Sequence, residues 1–185
     1  MRTMRLSFSV LAAAVLAVAC GEGHAIFDVD VYSFIAGSGG DTLHYTTPGV
    51  VGTTPPLNNP PLKVTLLPGL GSSVVDTVQV TGAAAIQNNT GTGSLSFKIF
   101  FGADSNTVYS TTPILTTSGN AGPGADTTIM ALNATLTSAQ DSLFSQKQVF
   151  VGVQAVLSNN TTTPLDGRLK LTALHLRLVI KDKVF

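Results

Sequence analysis

Leu95, Phe97, Ile99 and Phe101 alternate with Ser96 and Lys98, which is the pattern of a β-strand with one buried face. Four large apolar side chains then enter the core together, each worth about 1.5–3 kcal/mol on burial. The same period recurs along the chain. In Ile26–Val31, residues Phe27, Val29 and Val31 share one face and Asp28 and Asp30 the other, so a half-buried strand is expected there, continuing to about Ile35. Strands are also expected over Leu62–Leu67 and Val74–Val80, joined by a tight turn at Pro68-Gly69-Leu70-Gly71, and over Ala83–Gln87, Thr107–Thr111 and Thr127–Leu136. Val149, Val151, Val153, Ala155 and Leu157 line one face of a further strand. In the last strand, from Arg168, the apolar phase shifts: Leu169 and Leu171 are odd, whereas Leu174, Leu176, Leu178 and Ile180 are even. A bulge near Thr172-Ala173 would keep all six inward; the alternative is a strand covered on both faces. This strand is expected to be central and to pair with Gln148–Leu157.

Punctuation between these runs sets the architecture. Gly37-Ser38-Gly39-Gly40 and Ser118–Gly124 read as loops. Pro48, Pro55, Pro56, Pro60 and Pro61 exclude a central strand between Thr46 and Pro61, because proline removes ladder donors. That stretch reads as a crossover between sheets or sheet edges. One helical signal stands out: Thr137-x-x-Gln140 or Ser138-x-x-Asp141 can form a capping box ahead of Leu143 and Phe144. The expectation is an all-β, antiparallel two-sheet β-sandwich, immunoglobulin-like or Greek key, with one short helix near 138–147 and the domain spanning 26–185. The likeness to immunoglobulin-like domains is one of layout only, since no Cys…Trp…Cys signature exists. A barrel or jelly roll is the alternative.

The N-terminus follows another logic. Arg2 and Arg5 precede Leu6–Ala19, an uncharged run of about 14 residues and too short for a spanning helix. This is the layout of a secretory signal over 1–19. Its ending, Ala17-Val18-Ala19-Cys20, resembles the lipobox of bacterial lipoproteins, although Leu16 stands four places before the cysteine and Ala17 occupies the third. The resemblance implies lipidation of Cys20, a tether over 20–25 and attachment to a membrane on the periplasmic side of the cell envelope. Gly21, where an aspartate would resemble an inner-membrane retention signal, points to the outer membrane. Ordinary cleavage near Ala17-Val18-Ala19 and secretion is the alternative. Cys20 is the chain's single cysteine, so an internal disulfide is excluded.

Composition narrows the chemistry. Of the 185 residues 44% are apolar and only 11% charged, with zero formal net charge. The polar surface must therefore be built mainly of Ser, Thr, Asn and Gln, and no long-range field draws nucleic acid. His24, His44 and His175 are scattered, and Glu22 is the lone glutamate. No G-x-S-x-G, S-x-x-K or H-E-x-x-H occurs. Asp28-x-Asp30 lacks the further oxygen ligands that calcium requires. The sequons at Asn88, Asn133, Asn159 and Asn160 follow from Asn/Thr-rich loops. No catalytic residues, metal or cofactor are expected. The sequence points to a non-catalytic exported lipoprotein, a structural or interaction module of an envelope complex with a protein partner. The alternative is a binding domain for carbohydrate or a small apolar ligand. For sugar, Tyr32, Tyr45 and Tyr109 are the only tyrosines and tryptophan is absent, so stacking surfaces are scarce.

Overall fold

The computed structural model describes residues 23–66, 74–122, 128–136 and 142–182. They form two antiparallel sheets packed face to face. The first sheet holds β1 (Gly23–Asp30), β2 (Thr42–Thr46), β6 (Val74–Thr90), β9 (Thr128–Thr135) and β11 (Asp166–Asp182). The second holds β3 (Gly52–Thr53), β4 (Leu57–Asn58), β5 (Leu62–Thr65), β7 (Gly93–Gly102), β8 (Leu115–Ala121) and β10 (Gln148–Asn159). In the first sheet β1 and β2 pair with successive parts of β11, followed by β6 and β9. In the second, β3, β4 and β5 pair in turn with β10, followed by β7 and β8. Each sheet thus has four strand positions, and almost every connection passes from one sheet to the other. That is the two-Greek-key order of a jelly roll.

Periodicity explains the core. Across β10 and β7, Val151 faces Phe101, Val153 faces Ile99, Ala155 faces Phe97 and Leu157 faces Leu95, all of them buried. In β11 the ladder to β6 skips Thr172 between Leu171 and Ala173. Leu169 and Leu171 before this bulge, and Leu174, Leu176, Leu178 and Ile180 after it, are all buried. The single extra residue restores the inward phase, as expected from the sequence.

Several sequence expectations are corrected. The strand from Ile26 stops at Asp30, and α1 (Val31–Gly37) follows. Asp30 caps it, its side chain accepting from the Ser33 amide at 3.4 Å, and Val31 and Ile35, four apart, fill the core. Local capping therefore overrides the alternation. Residues 108–110 form a 3-10 turn rather than a strand. It holds the Tyr109 ring over Gly152, where an added Cβ would lie 2.8 Å from the ring. Ser118–Ala121, read as loop, belongs to β8, which pairs with β7 throughout. Ladder bonds to a strongly specified neighbour outweigh poor intrinsic propensity. β11 pairs with β6 and not with β10, and β5 and β6 lie in different sheets. The proline-rich stretch does cross between sheets, its two short strands, β3 and β4, lying with β5 on the outer edge of β10. Near 138–147, Ser142–Ser145 form a 3-10 turn that buries Phe144. The capping-box positions before Ser142 lie outside the described residues.

Candidate functional site

Among the described residues, two surface features differ from the ordinary polar exterior. The first is a cleft of about 370 Å3 where β1, α1 and β5 meet. Its lining includes Phe27 and Val29 of β1, Phe34 of α1, Leu66 just beyond β5, and Leu178 and Ile180 of β11, with Asp28, Asp30, Ser33 and Thr65 supplying polar groups. The alternation in β1 sets this up. Phe27 and Val29 point inward opposite Leu178 and Leu176 but stay only partly covered, because β1 ends the first sheet. Phe34, on the outward side of α1, is 51% exposed, and Ile26 on β1 is 53% exposed. Phe34 thus leaves apolar surface open at the cleft, whereas Ile26 lies on the outer face of β1. Asp28 and Asp30 lie on the wet face, opposite Arg177 and His175. The His175 Nδ1 lies 3.9 Å from the Asp30 Oδ1.

The second feature is a polar shelf of about 380 Å3 on the first sheet, lined by His44, Thr46, Gln87, Asn89, Asp166 and Arg168 among others. Three adjacent strands bring these residues together. Thr46 Oγ1 donates to Asp166 Oδ1 at 2.8 Å, and Asn89 Nδ2 donates to Oδ2 at 3.0 Å. A ladder irregularity beside Asp166 leaves Asn89 without a register partner, and such bulges re-aim side chains. Arg168 Nε donates to Gln87 Oε1 at 2.6 Å. The hydrogen bonds from Asn89 and Thr46 hold the Asp166 carboxyl below the usual carboxylate range. Beneath the shelf, burial pushes the Tyr45 phenol up to about 12, helped by the nearby Asp166 charge.

The residues singled out in the sequence are dispersed. Cys20 lies outside the described residues, as does the side chain of His24. His44 stands on the shelf and His175 is exposed beside the cleft rim. Among the described residues no group of three or more His, Cys, Asp or Glu side chains could hold a metal ion. Tyr32 lies on α1, Tyr45 is buried, and the half-buried Tyr109 bonds backbone groups of Asn59 and Val153, so the tyrosines offer no common stacking platform. Sequence reading gave Phe27 and Val29 as a buried strand face and Asp28 and Asp30 as a wet one, but it did not foresee a cleft and missed Phe34 and Leu66. It missed the shelf altogether, because positions 44, 87 and 166 are brought together only by strand pairing.

No protein-family model matches the chain, and no curated protein does. Among solved structures the chain is similar to one titled "Structure of infectious bursal disease virus Gt strain", with 11% identity and a TM-score of 0.41 over 85% of this chain and 36% of that one. A structure of the Gx strain of that virus gives 8% identity and a TM-score of 0.38 over 86% and 41% of the two chains. A third, titled "CBM4 structure and function", gives 12% identity and a TM-score of 0.28 over 69% and 61%. The chain thus spans well under half the length of the two viral proteins.

Proposed function

We propose that the protein is a non-catalytic exported module, tethered through a lipidated Cys20 at the periplasmic side of the envelope, that joins a larger assembly by protein–protein contact. The observation that carries this reading is the apolar cleft at the sandwich edge, with Phe34 exposed on its rim. A contact of this kind needs an apolar anchor surrounded by groups that exclude water, and Phe34, Phe27 and Leu66 supply one. The leader and its lipobox-like ending support the location, and the weakly charged exterior suits contact without long-range steering.

The test is affinity purification of the native protein from membranes, with mass spectrometry of its N-terminal peptide and its companions. An acylated Cys20 and a stoichiometric companion lost in Phe34→Asp are expected. Recovery of monomer alone, or a companion indifferent to Phe34→Asp, would overturn the reading. The shelf supports a second reading, carbohydrate binding, because it offers a carboxylate, carboxamides, an imidazole and a guanidinium side by side. Glycan binding abolished by Asp166→Ala would favour it.

A further inference from the structure

The cleft is not only apolar; it lies along the last strand of a sheet. Among the described residues β1 pairs with β11 alone, so its other edge presents backbone donors and acceptors in the manner of any terminal strand. The rows of side chains crossing the first sheet also end there. On the inner layer one row runs Val78, Leu178, Phe27 and another runs Val80, Leu176, Val29. Phe27 and Val29 remain only partly covered at the ends of these rows, and Leu66 beyond β5 faces them across the cleft. One further strand would extend the ladder, and its inward side chains would continue both rows. We infer that the cleft takes an extended segment of a partner protein, added to β1 as a new edge strand, with apolar residues inward and basic residues outward.

Charge chooses among the occupants. On the outer face Asp28 is opposite Arg177, and Asp30 is opposite His175. A strand on the other side of β1 would meet the same two carboxylates, so Lys or Arg at its outward positions gives opposite-charge cross-strand pairs. A second copy of the chain fits badly in the register that opposes the acidic positions: antiparallel β1 strands centred on Val29 would set Asp28 of each against Asp30 of the other. Like charges directly opposite destabilise such a pair. The new strand can run only as far as Asp30, since α1 begins at Val31. A segment of about six residues is therefore sufficient. Main-chain bonds supply affinity in this mode, and alternate side chains supply specificity.

This inference rests on the reading of the protein as an interaction module, and its test separates the two. The probe is a labelled octapeptide of alternating Val and Lys, titrated into the full-length protein in detergent and followed by fluorescence anisotropy and amide hydrogen exchange. Binding is expected with new exchange protection at alternate amides of β1. Placing proline at a central outward position should weaken it about tenfold, through a lost ladder bond and steric conflict. Replacing Lys by Asp should weaken it roughly fivefold or more at low salt. The Asp28→Asn/Asp30→Asn variant, in which asparagine still caps α1, should bring the Lys and Asp peptides to within about twofold of each other. Equal binding of the proline peptide, or no binding and no protection at β1, overturns strand addition. Concentration-dependent dimerisation that protects β1 also overturns it, in favour of a second copy. Should the peptides fail while the Phe34-dependent companion persists, strand addition falls and the module stands; should both fail, the module falls too.

Discussion

Asn159 is 1% exposed and Asn88 is 2% exposed, and each is occupied at both ends of its carboxamide. Asn159 Nδ2 donates to the carbonyls of Thr163 at 2.9 Å and Pro48 at 3.2 Å, while Oδ1 accepts from the Thr161 amide at 3.0 Å. Asn88 Nδ2 donates to Gly91 and Gly122 carbonyls, and Oδ1 accepts from the Tyr45 hydroxyl. These residues tie loops to the sandwich and are closed to glycosylation in the folded chain, although the sequence displays them as loop sequons. Asn159→Ala removes the two Nδ2 bonds to the Pro48 and Thr163 carbonyls and leaves the Thr161 amide without its acceptor, so a loss of about 2–3 kcal/mol is expected in urea denaturation. Asn159→Asp should cost at least as much, because it keeps the acceptor but removes the donor and buries charge. Nothing in local periodicity distinguishes these asparagines from solvated ones; their burial is set by loops arriving from distant parts of the chain. Tyr45 supplies a pH signature. Its folded pKa of about 12 lies above the ordinary phenol value, so its stabilisation is complete below pH 10 and lost as pH climbs towards 12. Denaturation midpoints should therefore fall over that range in the wild type and fall less in Tyr45→Phe. Asp166 has the opposite sign: its depressed pKa stabilises the fold above the usual carboxylate pKa, and that contribution disappears as acid protonates the folded carboxyl.

At the scale of elements, legibility depends on how much of an element's identity is written in its own side chains. β7 and β10 are plain in the sequence because each buries a complete alternating face. The phase change in β11 is equally plain between Leu171 and Leu174; it is met either by a bulge or by a strand covered on both faces, and the ladder, which skips Thr172, shows the bulge. β8 is obscure: its Thr, Ser, Gly and Asn residues become a strand through pairing with β7. α1 is obscured in another way, since Asp30 closes a strand-like pattern and caps a helix with one side chain. The bulge carries a prediction. Deleting Thr172 removes the phase correction, so Leu174, Leu176, Leu178 and Ile180 must turn outward or the β6 ladder must slip. At about 1.5–3 kcal/mol for each exposed side chain, the loss reaches the whole stability of a typical domain. The deletion variant should not refold, by circular dichroism and sedimentation, whereas Thr172→Ala should lose less than about 1.5 kcal/mol, the value of its hydroxyl's bond to the Ala83 carbonyl.

For the molecule as a whole, jelly-roll order makes neighbours in sequence strangers in space. β10 and β11 follow one another yet belong to opposite sheets, so an argument from adjacency pairs them wrongly, while the two-sheet sandwich itself is legible from strand number and period. The cleft inherits the same difficulty, because β1 is readable and its walls come from α1, β5 and β11. The few charges then separate two energies that are usually mixed. The described residues contain two ion pairs within 4 Å, Lys170–Asp41 and Lys181–Asp76, and a His175–Asp30 contact at 3.9 Å, none with both partners buried, and exposed pairs contribute about 0–1 kcal/mol each. The core is apolar and indifferent to screening. Raising sodium chloride from about 50 mM to about 500 mM shortens the screening length severalfold, yet should move the urea-unfolding free energy by less than about 1 kcal/mol. Peptide docking at β1 has Asp28 and Asp30 at its outer face, so the same change of salt should erase most of the preference for Lys over Asp peptides. A fold that weakened sharply with salt would mean that electrostatics hold the sheets together. A salt-indifferent peptide preference would mean that the two carboxylates take no part in choosing the incoming strand.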